Sequence, residues 1–193
     1  CEPLSAAEAI TGAGARILQF RHKAFFGRET YELAERVASI CARRGVLFVI
    51  NDRADFAKLL GAAVHVGQHD LPPADARALL GAAAVIGFST HNEVQLRAAA
   101  QEPADYVAFG PVYATASKSD PDPVTGAAEL ARLRPLSLRP VVAIGGITRE
   151  NARPVLAAGA DSVAVIRDLY PPDGCEASIA RRAEDWLRLV NEN

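Results

Sequence analysis

The sequence predicts an α/β fold around a parallel sheet, a (β/α)8 barrel short of its first strand. Three observations lead there. Seven short apolar runs recur along the chain, nearly continuous in the way of parallel strands covered on both faces. Helix-patterned segments with start and stop signals separate them. The runs begin near residues 17, 46, 63, 84, 105, 140 and 162, a mean step of about 24 residues that suits one strand–helix unit each. One further step back from residue 17 falls before residue 1, so the count puts the missing strand ahead of the chain. A doubly wound sheet of seven strands is the competing architecture.

The elements follow in order. Ser5-Ala6-Ala7-Glu8 reads as a capping box that opens a helix closed by Gly12 and Gly14. Ile17-Leu18-Gln19-Phe20 is the first visible strand. Leu33, Val37, Ile40 and Cys41 share one helix face, and Gly45 ends that helix. Strand runs follow at 46–50 and 63–66, and Pro72-Pro73 starts a helix ending near Leu80-Gly81. Further runs occupy 84–88, 105–109 and 141–144; Thr148 is placed to cap a helix that stops at Ala158-Gly159. The last run spans 162–166, and an amphipathic stretch near 177–190 carries Trp186. No linker or shift in composition divides the chain, so residues 1–193 read as a single barrel domain. The Pro- and Asp-rich stretch 119–125 reads as a mobile loop.

Composition narrows the function. Half of the 193 residues are apolar and 23% are charged, which suits a packed domain and excludes a disordered chain. A net charge of -2 from well-mixed signs points away from nucleic acid, and no apolar run is long enough to span a bilayer. Three scattered cysteines make neither a disulfide framework nor a zinc pattern, which suggests a reducing cytoplasm.

The polar residues collect just after the strands, where barrels and open α/β sheets build their sites. After the first strand, alternation puts Gln19, Arg21 and Lys23 on one side, an amide and two cations suited to gripping an anion. Asn51-Asp52-Arg53 follows the second and His65-Val66-Gly67-Gln68-His69-Asp70 the third. Asp52 and Asp70, at the ends of adjacent strands, can converge as hard oxygen ligands for Mg²⁺ shared with a substrate's phosphates; Asp52 as a helix cap and Asp70 as a turn residue are the plainer alternatives. His65 and His69 lack a third nitrogen or sulfur ligand, so zinc is not indicated, and His65 reads as a packed strand residue. Ser89 can meet a ligand, while Thr90 serves equally as an N-cap. Thr115, Ser117 and Lys118 suit an anion beneath a mobile cover. Gly145-Gly146 lets backbone amides approach a ligand, and with the amides near Arg167 forms the phosphate cup common after the last two barrel strands. A phosphate cup, a separate basic grip and a carboxylate pair suit two anionic substrates, one of them a diphosphate that leaves as pyrophosphate.

Read together, these segments resemble the thiamine phosphate synthase family. The match runs through Gln19-Phe20-Arg21-His22-Lys23, Asn51-Asp52-Arg53, His65 to Asp70, Gly87-Phe88-Ser89-Thr90-His91, Gly110-Pro111 with Thr115 to Lys118, and Ala143 to Ile147, in family order. The resemblance implies a (β/α)8 barrel that joins hydroxymethylpyrimidine diphosphate to thiazole phosphate through a carbocation-like pyrimidine, with Mg²⁺ as cofactor. It implies that Gln19, Arg21, Lys23, Asn51, Ser89 and Lys118 hold the pyrimidine diphosphate. Thr115, Ser117, Gly146 and the backbone at Ile166 and Arg167 would hold the thiazole phosphate, and Asp52 and Asp70 the metal. A homodimer is also implied.

Two positions depart from the family pattern: Arg167 stands where Ser is usual and Ser117 where Thr is usual. Two rival readings remain, a thiazole tautomerase on the same barrel, in which His91 would be the residue to watch, and a non-catalytic sensor of phosphorylated ligands. Asp52 and Asp70 with Arg21, Lys23 and Lys118 favour the synthase over both. The chain begins with Cys1 and contains no methionine. With the strand count, this predicts about 10–20 further residues, including the first strand, upstream.

Overall fold

All seven predicted strands form, and each is followed by a helix or short helical turn. The computed structural model describes residues 2–115 and 122–192. In chain order it runs α1 (Pro3–Gly12), β1 (Ile17–Phe20), α2 (Arg28–Arg44), β2 (Leu47–Asn51), α3 (Ala54–Leu60), β3 (Ala63–Val66), α4 (Pro73–Leu80) and β4 (Ile86–Thr90). It continues through α5 (Glu93–Ala99), β5 (Tyr106–Phe109), α6 (Gly126–Leu133), β6 (Val141–Ile144), α7 (Ala152–Ala157), β7 (Ser162–Ala164) and α8 (Glu176–Asn191), with short 3₁₀ turns at Arg134–Leu136 and Arg167–Leu169. No helix among the described residues is long and apolar enough to cross a membrane.

The strands pair in sequence order, β1-β2-β3-β4-β5-β6-β7, all parallel. A doubly wound sheet reverses its order at a switch point; this one does not, which decides for the barrel. Among the described residues β7 and β1 do not pair with each other, leaving the gap that the strand count predicts.

Register separates the two faces of the sheet. Phe48 and Ile50 of β2, Val64 and Val66 of β3, Ile86 of β4, Val107 and Phe109 of β5 and Val141 of β6 lie on the outer face. They pack with Ala34, Val37 and Ile40 of α2, Leu96 of α5, Leu130 and Leu133 of α6 and Val155 of α7. Alternation sends the other set inward: the register aligns Gln19 with Val49, Asn51 with His65, His65 with Gly87, Gly87 with Tyr106 and Ser89 with Ala108. The apolar core therefore lies between sheet and helices, and the inner face carries a row of polar side chains.

The lower ends of two strands are clamped alike. Asp105, just before β5, exchanges bonds with Ile86: its amide donates to the Ile86 carbonyl and its carboxylate accepts the Ile86 amide, both at 2.7 Å. Asp161, just before β7, repeats this on Val141 at 2.9 and 2.7 Å. Each carboxylate also takes an arginine, Arg77 at 2.7 Å and Arg134 at 3.0 Å.

Three local expectations need correction. Helix α1 starts at Pro3 with Glu2 before it and no side-chain cap, so the Ser5 capping box does not form; Pro3, with φ already set for a helix, brings the start forward. Thr148 caps no helix: α7 starts at Ala152, and Thr148 instead donates its amide to the Asn151 side chain at 2.7 Å. Thr90 is a buried strand residue that donates to the Ala108 carbonyl at 2.9 Å, while Asn92 caps α5 by accepting the Gln95 amide at 3.0 Å. Gly45 does end α2, and α4 starts and stops as expected.

Helix α8 is tied back through Asp168, whose carboxylate accepts from Trp186 Nε1 at 2.8 Å and Arg149 Nε at 2.9 Å, while its carbonyl accepts from Arg182 at 2.9 Å. With only 13% of its side chain exposed, the Asp168 carboxylate gathers donors from both α8 and the loop after β6. Asp168→Ala is expected to lower unfolding stability by about 3 kcal/mol, read from denaturant melts.

Candidate functional site

Every predicted site residue that the structure describes lies at or beyond the C-terminal end of a strand. Gln19 is in β1, with Arg21 and Lys23 just after it; Asn51 ends β2 and Asp52 follows; Asp70 lies beyond β3 and Ser89 in β4. Thr115 follows β5, Gly146 follows β6, and Ile166 and Arg167 follow β7. Ser117 and Lys118 lie outside the described residues.

The tightest grouping is Lys23, Asp52 and Asp70. Asp52 holds φ at +66°, a backbone conformation that a non-glycine residue adopts at some cost. Its amide donates to the His65 carbonyl at 2.8 Å, and the turn brings its carboxylate onto the Lys23 ammonium. Asp70 lies within hydrogen-bonding reach of the same carboxylate and accepts the Gly67 amide at 2.7 Å. Burial pushes the Asp52 carboxyl above its usual range; Lys23 opposes that shift and Asp70 adds to it. The two carboxylates thus converge as the sequence predicts. Asp52 caps no helix, while Asp70 is also the turn residue of the plainer alternative, its amide donating to the Gly67 carbonyl at 3.3 Å. Among the described residues no group of three or more metal-ligating side chains forms.

Beside this group Asn51 is 7% exposed, and its Nδ2 has no partner among the described residues. Gln19 and Arg21 are exposed and make no side-chain hydrogen bond among the described residues, so an amide and a guanidinium stand uncommitted at the mouth of β1. Arg167 is exposed likewise.

On the inner face His65 bonds through both nitrogens, Nε2 to Ser89 Oγ at 2.8 Å and Nδ1 to the Tyr106 hydroxyl at 3.0 Å. Gln68 Nε2 donates to the Ser89 carbonyl at 2.6 Å and fixes the end of β4. Gly87 is required here: a Cβ would lie 2.1 Å from the Tyr106 ring and 2.4 Å from His65 Nδ1. Burial lowers the His65 pKa to about 4 and raises that of Tyr106, so the pair is a neutral imidazole and a neutral phenol. His65 is indeed a packed strand residue, but it also supports Ser89, which its lone polar letter in an apolar run did not reveal.

Gly145 and Gly146 have φ of +91° and +64°, and a Cβ on Gly146 would strike the Ala114 carbonyl at 2.4 Å. The pair therefore lets the loop after β6 lie directly against the loop after β5. Two residues absent from the sequence reading lock that contact: Asn151 Nδ2 donates to the Gly146 carbonyl, and the Tyr113 hydroxyl donates to the Asn151 carbonyl, both at 3.1 Å. Neither belongs to a motif; both are polar residues at the upper rim, the one signal that could have found them. His91, in the loop after β4, has Nδ1 2.6 Å from the Gly110 carbonyl and Nε2 3.4 Å from an Asp122 carboxylate oxygen.

The comparisons with known proteins agree with this arrangement. The family model described as thiamine monophosphate synthase matches residues 2–169. The chain belongs to the thiamine monophosphate synthase family. Membership makes it a transferase of thiamine biosynthesis. It is 47% identical to the thiamine-phosphate synthase of Koribacter versatilis over 186 residues, 96% of this chain and 85% of that protein. It is 44% identical to that of Laribacter hongkongensis over 164 residues, covering 84% and 77%. The solved thiamine phosphate pyrophosphorylase from Pyrococcus furiosus superposes with a TM-score of 0.86 at 32% identity, covering 100% of this chain and 90% of that one.

The neutral His65 predicts a pH dependence of this family member's fold. An unfolded histidine takes up a proton near pH 6.5, whereas His65 does so only near 4. As pH falls between those values the unfolded state binds the extra proton, so stability is lost on acidification. Chemical denaturation across that range is expected to show wild type losing about 3 kcal/mol relative to His65→Gln.

Proposed function

We propose that the chain condenses hydroxymethylpyrimidine diphosphate with a thiazole phosphate, giving thiamine phosphate and pyrophosphate. The observation that carries the reading is the convergence of Lys23, Asp52 and Asp70 beside the unpartnered Asn51 amide. Holding a half-buried carboxylate pair beside a buried, unsatisfied amide is costly to a fold that does not use them, and a diphosphate with its cation answers both.

In this reading Gln19, Arg21, Lys23, Asn51, Ser89 and Lys118 hold the pyrimidine diphosphate. Thr115, Ser117 and the backbone at Gly146, Ile166 and Arg167 hold the thiazole phosphate. Asp52 and Asp70 are hard oxygen donors that fit Mg²⁺, and as only two protein ligands they suit an ion completing its shell with water and substrate phosphates. When bound there, such an ion would supply charge neutralisation for the leaving pyrophosphate.

The remaining chemistry belongs to the protein. The bond between the pyrimidine methylene carbon and the diphosphate oxygen breaks first, its electron pair leaving with pyrophosphate. Arg21 and Lys23 meet that developing charge and the Asn51 amide donates to the same anion. The thiazole nitrogen, held by its own phosphate, then gives its lone pair to the exposed carbon. Holding each substrate by a separate anion site fixes the approach of the two reacting atoms. The synthase reading asks no acid–base step of His91, whose Nδ1 is held by the Gly110 carbonyl; the tautomerase reading does. The scattered cysteines and phosphorylated substrates suit a cytoplasmic enzyme.

The test mixes both precursors with Mg²⁺ and follows thiamine phosphate and pyrophosphate. Both products are expected in equal amounts; isomerisation of a thiazole carboxylate phosphate instead would sink the reading. Asp70→Ala is expected to lower kcat by about 100-fold with little change in Tm, since outside the carboxylate pair its side chain braces only the loop after β3, at the Gly67 amide. Full turnover in that variant would remove Asp70 from the metal site.

A further inference from the structure

Ser89 is assigned above to the pyrimidine diphosphate, an acceptor-only anion. A serine hydroxyl is of use to such a ligand only when its hydrogen is free to point at it. What fixes that hydrogen is the chain Tyr106–His65–Ser89, which crosses three adjacent strands on the inner face.

Two proton arrangements fit the distances. In the first, the Tyr106 hydroxyl donates to Nδ1 of His65 and Nε2–H donates to Ser89 Oγ. In the second, Nδ1–H donates to the tyrosine oxygen, and Nε2 takes the serine's own hydrogen. The second leaves the Tyr106 O–H without an acceptor, since among the described residues this oxygen meets only His65 Nδ1. The first leaves the Ser89 hydrogen unmatched instead, but Ser89 lies toward the C-terminal end of β4, at the mouth, where water or a ligand accepts it, whereas Tyr106 opens β5 at the floor. An unmade donor costs more away from water, so the first arrangement prevails. Both ring nitrogens face uncharged hydroxyl groups, so the choice is one of tautomer and not of charge.

We propose that Tyr106 and His65 are positioning residues that set Ser89 as an obligate donor to the diphosphate substrate. The Tyr106 hydroxyl selects the Nε2–H tautomer, Nε2–H fills a lone pair of Ser89 Oγ, and the serine hydrogen turns toward the mouth. Among the described residues Ser89 Oγ has no other partner, so this hydrogen has no protein acceptor competing with the ligand. Gly87 serves the device by leaving room for the Tyr106 ring beside Nδ1, where any Cβ would collide.

The inference rests on the substrate assignment made above, and the experiment separates the two. The tautomer is read directly by ¹⁵N NMR of histidine-labelled protein at neutral pH, with His65→Gln identifying the signal. The Nε2–H form is expected in wild type; the Nδ1–H form or an imidazolium overturns the proposal whatever the activity. In Tyr106→Phe the preference for Nε2–H is expected to fall. Its KM for the pyrimidine diphosphate is expected to rise about three- to tenfold, with a smaller change in kcat and none in the KM for the thiazole phosphate. Ser89→Ala is expected to show the same rise, and the double variant no more than either single one. A rise in Ser89→Ala with none in Tyr106→Phe, or additive effects in the double variant, overturns the relay and leaves the substrate assignment standing. No rise in Ser89→Ala removes Ser89 from the diphosphate site, and the relay's function with it. Circular dichroism checks that each variant folds; should Tyr106→Phe fail to, the tautomer signal and Ser89→Ala still decide.

Discussion

The imidazole of His65 is bonded on both nitrogens in the interior of the sheet, and its carbonyl accepts the amide of Asp52. Much of the site hangs on that one residue. Its ring reaches across β4 to Tyr106 on β5, so the register of three strands must hold for either bond to form. Its backbone steadies the turn in which Asp52 takes a positive φ and presents its carboxylate to Lys23 and Asp70. Asn51, paired with it in register, ends the same strand as that turn begins. Shifting β3 by one residue would send His65 among the helices and an apolar side chain into the site.

The sheet solves two problems with its two faces. Outward, Phe48, Ile50, Val64, Ile86 and Phe109 bury apolar surface against the helices and supply the driving force for folding. Inward, the same strands carry Gln19, Asn51, His65, Ser89 and Tyr106, which contribute little hydrophobic stabilisation and must satisfy one another or a ligand. His65, Ser89 and Tyr106 do so mutually. The Asn51 amide does not, and it lies beside the carboxylate pair.

The places of the strands were legible because each is a short, nearly unbroken apolar run, and the capped helices between them fixed the period. The barrel itself followed from the count, and sequential pairing removed the doubly wound alternative. The convergence of Asp52 and Asp70 was legible too, because neighbouring parallel strands end side by side. The partnership of His65 with Tyr106 was not: the two are 41 residues apart, and only the registers of β3, β4 and β5 bring them together. The lock on Gly146 by Asn151 and Tyr113 was hidden for the same reason, since the first lies in a loop ahead of α7 and the second beyond β5. Thr148 and Ser5 misled because capping propensity is local, whereas Asn151 and Pro3 had already decided where those helices begin.

The paired clamps at Asp105 and Asp161 have a bearing on how such a molecule tolerates change. Each stitches one strand to the next at the end of the sheet remote from the site, and each is complete without any ligand. Integrity at the floor is thereby insulated from experiment at the rim. Loops at the mouth are free to vary in length and chemistry while the floor keeps the strands in step, so a lineage built on this plan can drift toward new substrates without first surrendering its fold.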